Sequence, residues 1–140
     1  MPFEHPLGGF LTGTISHTVQ DPAGINPPST VIQTDDPWNV QVQWSIDGVA
    51  AWLLGGEWHL RVFAESIGPG PEVLLGTATV PLATVPPPPP RNFTHTINVP
   101  AGTLPEGTYR LVTVINYTNG GVPAEMAGFD DGTVIQLYNP

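Results

Sequence analysis

The sequence predicts an all-β fold, an antiparallel β-sandwich of seven or eight strands, with a jelly roll or a small barrel as the competing architectures. Three observations carry this reading. Apolar residues recur at every second position in several runs, the period of a strand with one buried face. The 16 Gly and 18 Pro gather between those runs, as turn punctuation does in an all-β chain. No stretch makes a convincing helix, and no internal repeat is present.

Taken in order, residues 1–20 read as an N-terminal arm, irregular at first, with Phe10 to Gln20 forming an edge or donated strand in which Gly13 permits a bulge. Residues 21–140 form the sandwich proper. DPAGINPP, 21–28, is loop, and Ser29 to Thr34 is a short strand stopped by Asp35-Asp36-Pro37. The clearest alternation follows, with Trp38, Val40, Val42, Trp44 and Ile46 on one face and Asn39, Gln41, Gln43 and Ser45 on the other. One face is core and the other is wet. Asp47 to Gly56 connects this strand to the next and has room for a single helical turn. Glu57 to Ser66 then points Trp58, Leu60, Val62 and Ala64 inward and His59, Arg61, Phe63 and Glu65 outward.

Gly68 to Pro71 is a turn, and Val73 to Leu82 is a further, edge-type strand. Pro86 to Pro90, five consecutive prolines, adopt polyproline II at about 3.1 Å per residue, so they span roughly 15 Å. That length suits a crossover between sheets, with a ligand for a proline-recognition domain as the alternative. Asn92 to Val99 is the next strand. Pro100 and Gly102 stop it, Pro105 and Gly107 turn the chain, and Tyr109, Leu111, Thr113, Ile115 and Tyr117 alternate again. Residues 118–132 read as a long connection with turn signals at Asn119-Gly120 and Asp131-Gly132, and Thr133 to Tyr138 is the last strand.

The order Leu104-x-x-Gly107-x-Tyr109 at the Pro/Gly corner resembles the tyrosine corner of immunoglobulin-like and fibronectin-III-like domains, in which a phenol hydroxyl bonds to backbone upstream. The resemblance covers mainly residues 92–118. It implies an immunoglobulin-like β-sandwich with Tyr109 as the structural corner, and it implies no activity.

Composition narrows the function classes. With no cysteine in 140 residues, disulfides, thiolate metal sites and Cys nucleophiles are excluded, and stability must come from packing. Lys is absent, and Arg61, Arg91 and Arg110 face twelve carboxylates for a net charge of −9. Nucleic acid requires a basic patch that three separated arginines do not build, and anionic membrane surfaces are disfavoured on the same ground. No apolar run is long enough for a membrane-spanning helix, and MPFEHPLGGF lacks the basic and apolar regions of a signal peptide, so neither is expected.

No constellation of reacting residues emerges, and the expectation is a non-catalytic chain without cofactor or metal. Glu57, His59 and Glu65 share a face, with His95 on another strand, but outward polar residues explain them as well as metal ligands do. Asp35-Asp36 and Asp130-Asp131 are read as loop doublets that cap turns, with calcium as the alternative. No serine lies in a nucleophile elbow, and Gly68-Pro69-Gly70-Pro71 lacks the donors of a phosphate loop.

The weakly ionised exterior, short of the edge charges that keep β proteins apart, points instead to self-association or to another protein subunit. Phe3, Phe10, Trp52, Leu53, Leu54, Phe63, Met126 and Phe129 are the interface candidates. The expected role is a structural subunit of a homomeric assembly such as a filament, shell decoration or tail component. The alternatives are a carbohydrate-binding module that stacks sugars on exposed aromatics such as Trp52, and a small all-β enzyme.

Overall fold

Nine strands in two sheets make up the described part of the chain, a computed structural model covering residues 3–4, 12–20, 31–48, 55–68, 70, 72–82, 90–119 and 122–139, with 3–4, 12, 119, 122–127, 129, 131 and 132 described in backbone only. They are β1 (Phe3–Glu4), β2 (Thr12–Gln20), β3 (Val31–Gln33), β4 (Trp38–Asp47), β5 (Glu57–Ser66), β6 (Val73–Pro81), β7 (Arg91–Val99), β8 (Gly107–Asn119) and β9 (Val122–Tyr138). The larger sheet runs β1-β9-β8-β5-β6, with β3 pairing parallel to the far end of β9, and the smaller sheet runs β2-β4-β7.

Period-two burial builds the core. Trp38, Val40, Val42, Trp44 and Ile46 from β4 meet Trp58, Leu60, Val62 and Ala64 from β5 and Tyr109, Leu111, Ile115 and Tyr117 from β8, all buried as their spacing requires. At the centre, the Trp58 ring lies 6.3 Å from Trp44, 5.8 Å from Phe93 and 5.4 Å from Tyr117, each edge to face. These rings span both sheets. The edge-to-face arrangement sets positive ring edges against negative ring faces.

The corner is in place. Gly102 takes a φ of 80°, which a side chain disfavours, and its N–H donates to the Thr34 carbonyl at 2.9 Å. Tyr109 opens β8 and donates its hydroxyl to the Pro105 carbonyl at 2.8 Å. Burial raises the Tyr109 pKa above the ordinary phenol value. β6 ends in the larger sheet and β7 begins in the smaller one, while the proline run assigned to the crossover lies, but for Pro90, outside the described residues.

Two readings need correction. Residues 118–132 are not a long loop, because β8 continues to Asn119, Asn119 pairs with Val122, and β9 runs 17 residues to Tyr138. Pro123, Gly128 and Asp130 signal turns locally, yet each pairs with β8, while Asp131-Gly132 falls at a register shift in that pairing. Asp130 is likewise no loop residue but a buried side chain in β9, beside a register shift between Leu111 and Thr113. Thr12 to Gln20 is an edge strand paired along its length with β4 of its own chain, and a two-residue β1 precedes it.

Candidate binding faces

The outer face of the smaller sheet is built by the residues that alternate with the core on three neighbouring strands. Register brings them into rungs. Thr14, Ser45 and Asn92 form the first, and Ser16, Gln43 and Thr94 the second. Thr18, Gln41 and Thr96 form the third, and Gln20, Asn39 and Asn98 the fourth. All twelve side chains are hydroxyls or carboxamides, with no charge, aromatic ring or aliphatic chain among them. Thr14 and Ser45 exchange a hydrogen bond at 2.9 Å across the first rung. The first two rungs line a shallow hollow of about 420 Å³, to which Trp44 and Phe93 also contribute.

The outer face of the larger sheet has the opposite character. Register aligns Leu74, Phe63 and Val112 in one apolar row across β6, β5 and β8. Leu74 is 49% exposed, and the Arg61 guanidinium lies 6.0 Å from the Phe63 ring centroid. Glu65 stands opposite Arg110, and Val134 and Tyr138 are exposed further across on β9. His59 lies 3.7 Å from Glu57 and bonds to the Thr118 hydroxyl at 2.8 Å. Among the described residues no three His, Asp or Glu side chains come together as a metal site, so Glu65 and His95 do not join this pair.

Between the sheets lies a polar cluster. The His17 side chain, fully buried on β2, reaches the Thr113 hydroxyl at 3.0 Å and the Asp130 carboxylate at 3.5 Å, while its main-chain N–H donates to the same carboxylate at 3.2 Å. The alternation of β2 places position 17 inward, and no spacing in the sequence announces that Asp130 will face it.

Of the interface candidates, Phe63 lies in the apolar row described above. Phe10, Trp52, Leu53 and Leu54 fall outside the described residues, as do the side chains of Phe3, Met126 and Phe129. Tyr109 holds the corner. The rungs of the smaller sheet are what sequence reasoning missed: the outward set of β4 was legible, but its alignment with β2 and β7 depends on strand register.

No family model matches the chain, and no curated protein matches it. Solved structures do. The C-terminal domain of Wzt superposes with a TM-score of 0.58 at 11% identity, over 97% of this chain and 81% of that one. The CARDB domain of a Pyrococcus furiosus protein in complex with di-metal ions gives 0.54 at 16% identity, over 94% and 97%. A β-glucosidase from Listeria innocua in complex with glucose gives 0.54 at 9% identity over 91% of this chain, which spans only 16% of that enzyme. At these identities the likeness is of fold alone. Together with the Tyr109 corner and the sheet order, in which β3 runs parallel to β9 at one end of the larger sheet, it makes the chain an immunoglobulin-like β-sandwich.

Proposed function

We propose that this chain is a non-catalytic immunoglobulin-like subunit of a homomeric assembly such as a filament, shell decoration or tail component. The observation that supports it is the Leu74–Phe63–Val112 row on the outer face of the larger sheet. Aromatic and arginine side chains are the groups that protein interfaces enrich, and Phe63 with Arg61 supplies both. Two of the three arginines, Arg61 and Arg110, share this face with Glu57 and Glu65. A twofold contact lays such a face against itself, so arginines of one copy meet carboxylates of the other.

A non-catalytic role is supported by the setting of two histidine–carboxylate pairs among the described residues. His17–Asp130 is buried in the core, where no substrate reaches it, and His59–Glu57 stands on an open strand.

Light scattering of the whole chain across concentration tests the reading. Mass is expected to rise above that of one chain, and Phe63→Asp to return it to the monomer. A wild-type chain that stays monomeric at high concentration overturns the assembly.

A further inference from the structure

We propose that the outer face of the smaller sheet binds a neutral, hydroxyl-rich polymer, a glycan chain without ionised groups. The face is separate from the proposed subunit contact, and the two readings stand or fall independently.

Its chemistry makes the selection. Each rung position carries a group that both donates and accepts hydrogen bonds, as a sugar hydroxyl does. Among the described residues, phosphate, sulfate or uronate would find no cation on the rungs, and the carboxylate next to them is Asp47, one step beyond the first rung opposite Thr12. On the twelve rung positions a protein partner would find none of the aromatic or aliphatic anchors that carry most binding energy, Trp44 and Phe93 reaching only the floor of the hollow from the buried side. Low charge overall does not explain the pattern, because the other sheet's outer face holds Glu57, Arg61, Glu65 and Arg110 together with Leu74 and Val112. In a chain of net charge −9, this face matches a ligand that is itself neutral.

Its geometry fits an extended occupant. Strands about 4.8 Å apart, with outward residues about 6.8 Å apart along each strand, make an array of roughly 10 by 20 Å. That is room for several sugar rings laid along the strands. The hollow of about 420 Å³ at the Thr14 end falls within the usual size of a small-molecule site and gives one ring a seat. The side chains stand on paired strands, so they are positioned before the ligand arrives. Each bond to a sugar replaces one to water, so affinity on this open face is modest, in the millimolar to sub-millimolar range.

The test titrates the whole chain with cellohexaose, maltohexaose, xylohexaose and mannohexaose, followed by amide NMR shifts, with heparin as the charged control. At least one neutral hexasaccharide is expected to give saturable shifts on β2, β4 and β7, and heparin none. Gln43→Ala and Thr94→Val, both exposed and so compatible with the fold, should each weaken binding about fivefold or more. Phe63→Asp should leave it unchanged. The proposal is overturned if no hexasaccharide shifts these amides at about 10 mM, if shifts map to another face, or if Gln43→Ala and Thr94→Val bind as the wild type does. It is also overturned if Gln43→Arg lowers the mass in light scattering, which would make this face a contact between copies.

Discussion

The main-chain N–H of His17 donates to the Asp130 carboxylate at 3.2 Å, joining an edge strand of the smaller sheet to the longest strand of the larger one. An edge strand carries donors that the strand beside it does not use, and an acceptor from β9 satisfies one of those on β2. Asp130→Ala removes that acceptor from a buried donor and should cost about 1–3 kcal/mol. Asp130→Asn keeps a carbonyl oxygen in place and should cost less. Urea denaturation of the two variants checks the order, and equal losses would refute the role given to the oxygen.

Tyr109→Phe deletes the bond to the Pro105 carbonyl and should destabilise by about 1 kcal/mol. The substitution also has a pH signature. Burial raises the folded-state pKa of Tyr109, so its contribution is complete below the unfolded phenol value near 10 and is lost as pH rises through the folded value. Thermal melts from neutral to alkaline pH should therefore show a steeper alkaline decline for wild type than for the phenylalanine variant.

Gly76 on β6 lies against Ile97 on β7, across the two sheets. A Cβ there would lie 2.6 Å from Ile97 Cγ2 on β7, so Gly76→Ala should destabilise by about 1–3 kcal/mol through overpacking. Ile97→Val in the same chain retains that methyl group and should restore little, whereas Ile97→Ala should restore part of the loss. A double-mutant cycle on the Gly76 and Ile97 substitutions measures it.

Trp58 touches three other rings and is fully buried, so Trp58→Ala should cost about 3–5 kcal/mol. Because the cluster includes Trp44 and Phe93 from the smaller sheet, the near-ultraviolet circular dichroism should change as well as the denaturation midpoint.

The core was legible from sequence because alternation is a local signal: every inward residue assigned on β4 and β5 is buried. The Tyr109 corner was legible for the same reason, since its donor and acceptor are four residues apart. The polar partnerships were not. Asp130 meets His17 across 113 residues, and the doublet Asp130-Asp131 looks like a turn until β8 is laid beside it. The uncharged face of the smaller sheet was half visible, as Asn39, Gln41, Gln43 and Ser45. Its width comes from pairings with β2 and β7 that single-strand periodicity does not encode.

β9 pairs with β1 at Ala127 and Gly128, with β3 from Gln136 to Tyr138, and with β8 along its length. During synthesis β1 and β3 leave the ribosome roughly a hundred residues before the strand that receives them, so the larger sheet cannot close until translation has passed Tyr138. Such distant pairings slow folding. A nascent chain of this protein therefore spends most of its synthesis with two emerged strands still lacking the neighbour they pair with.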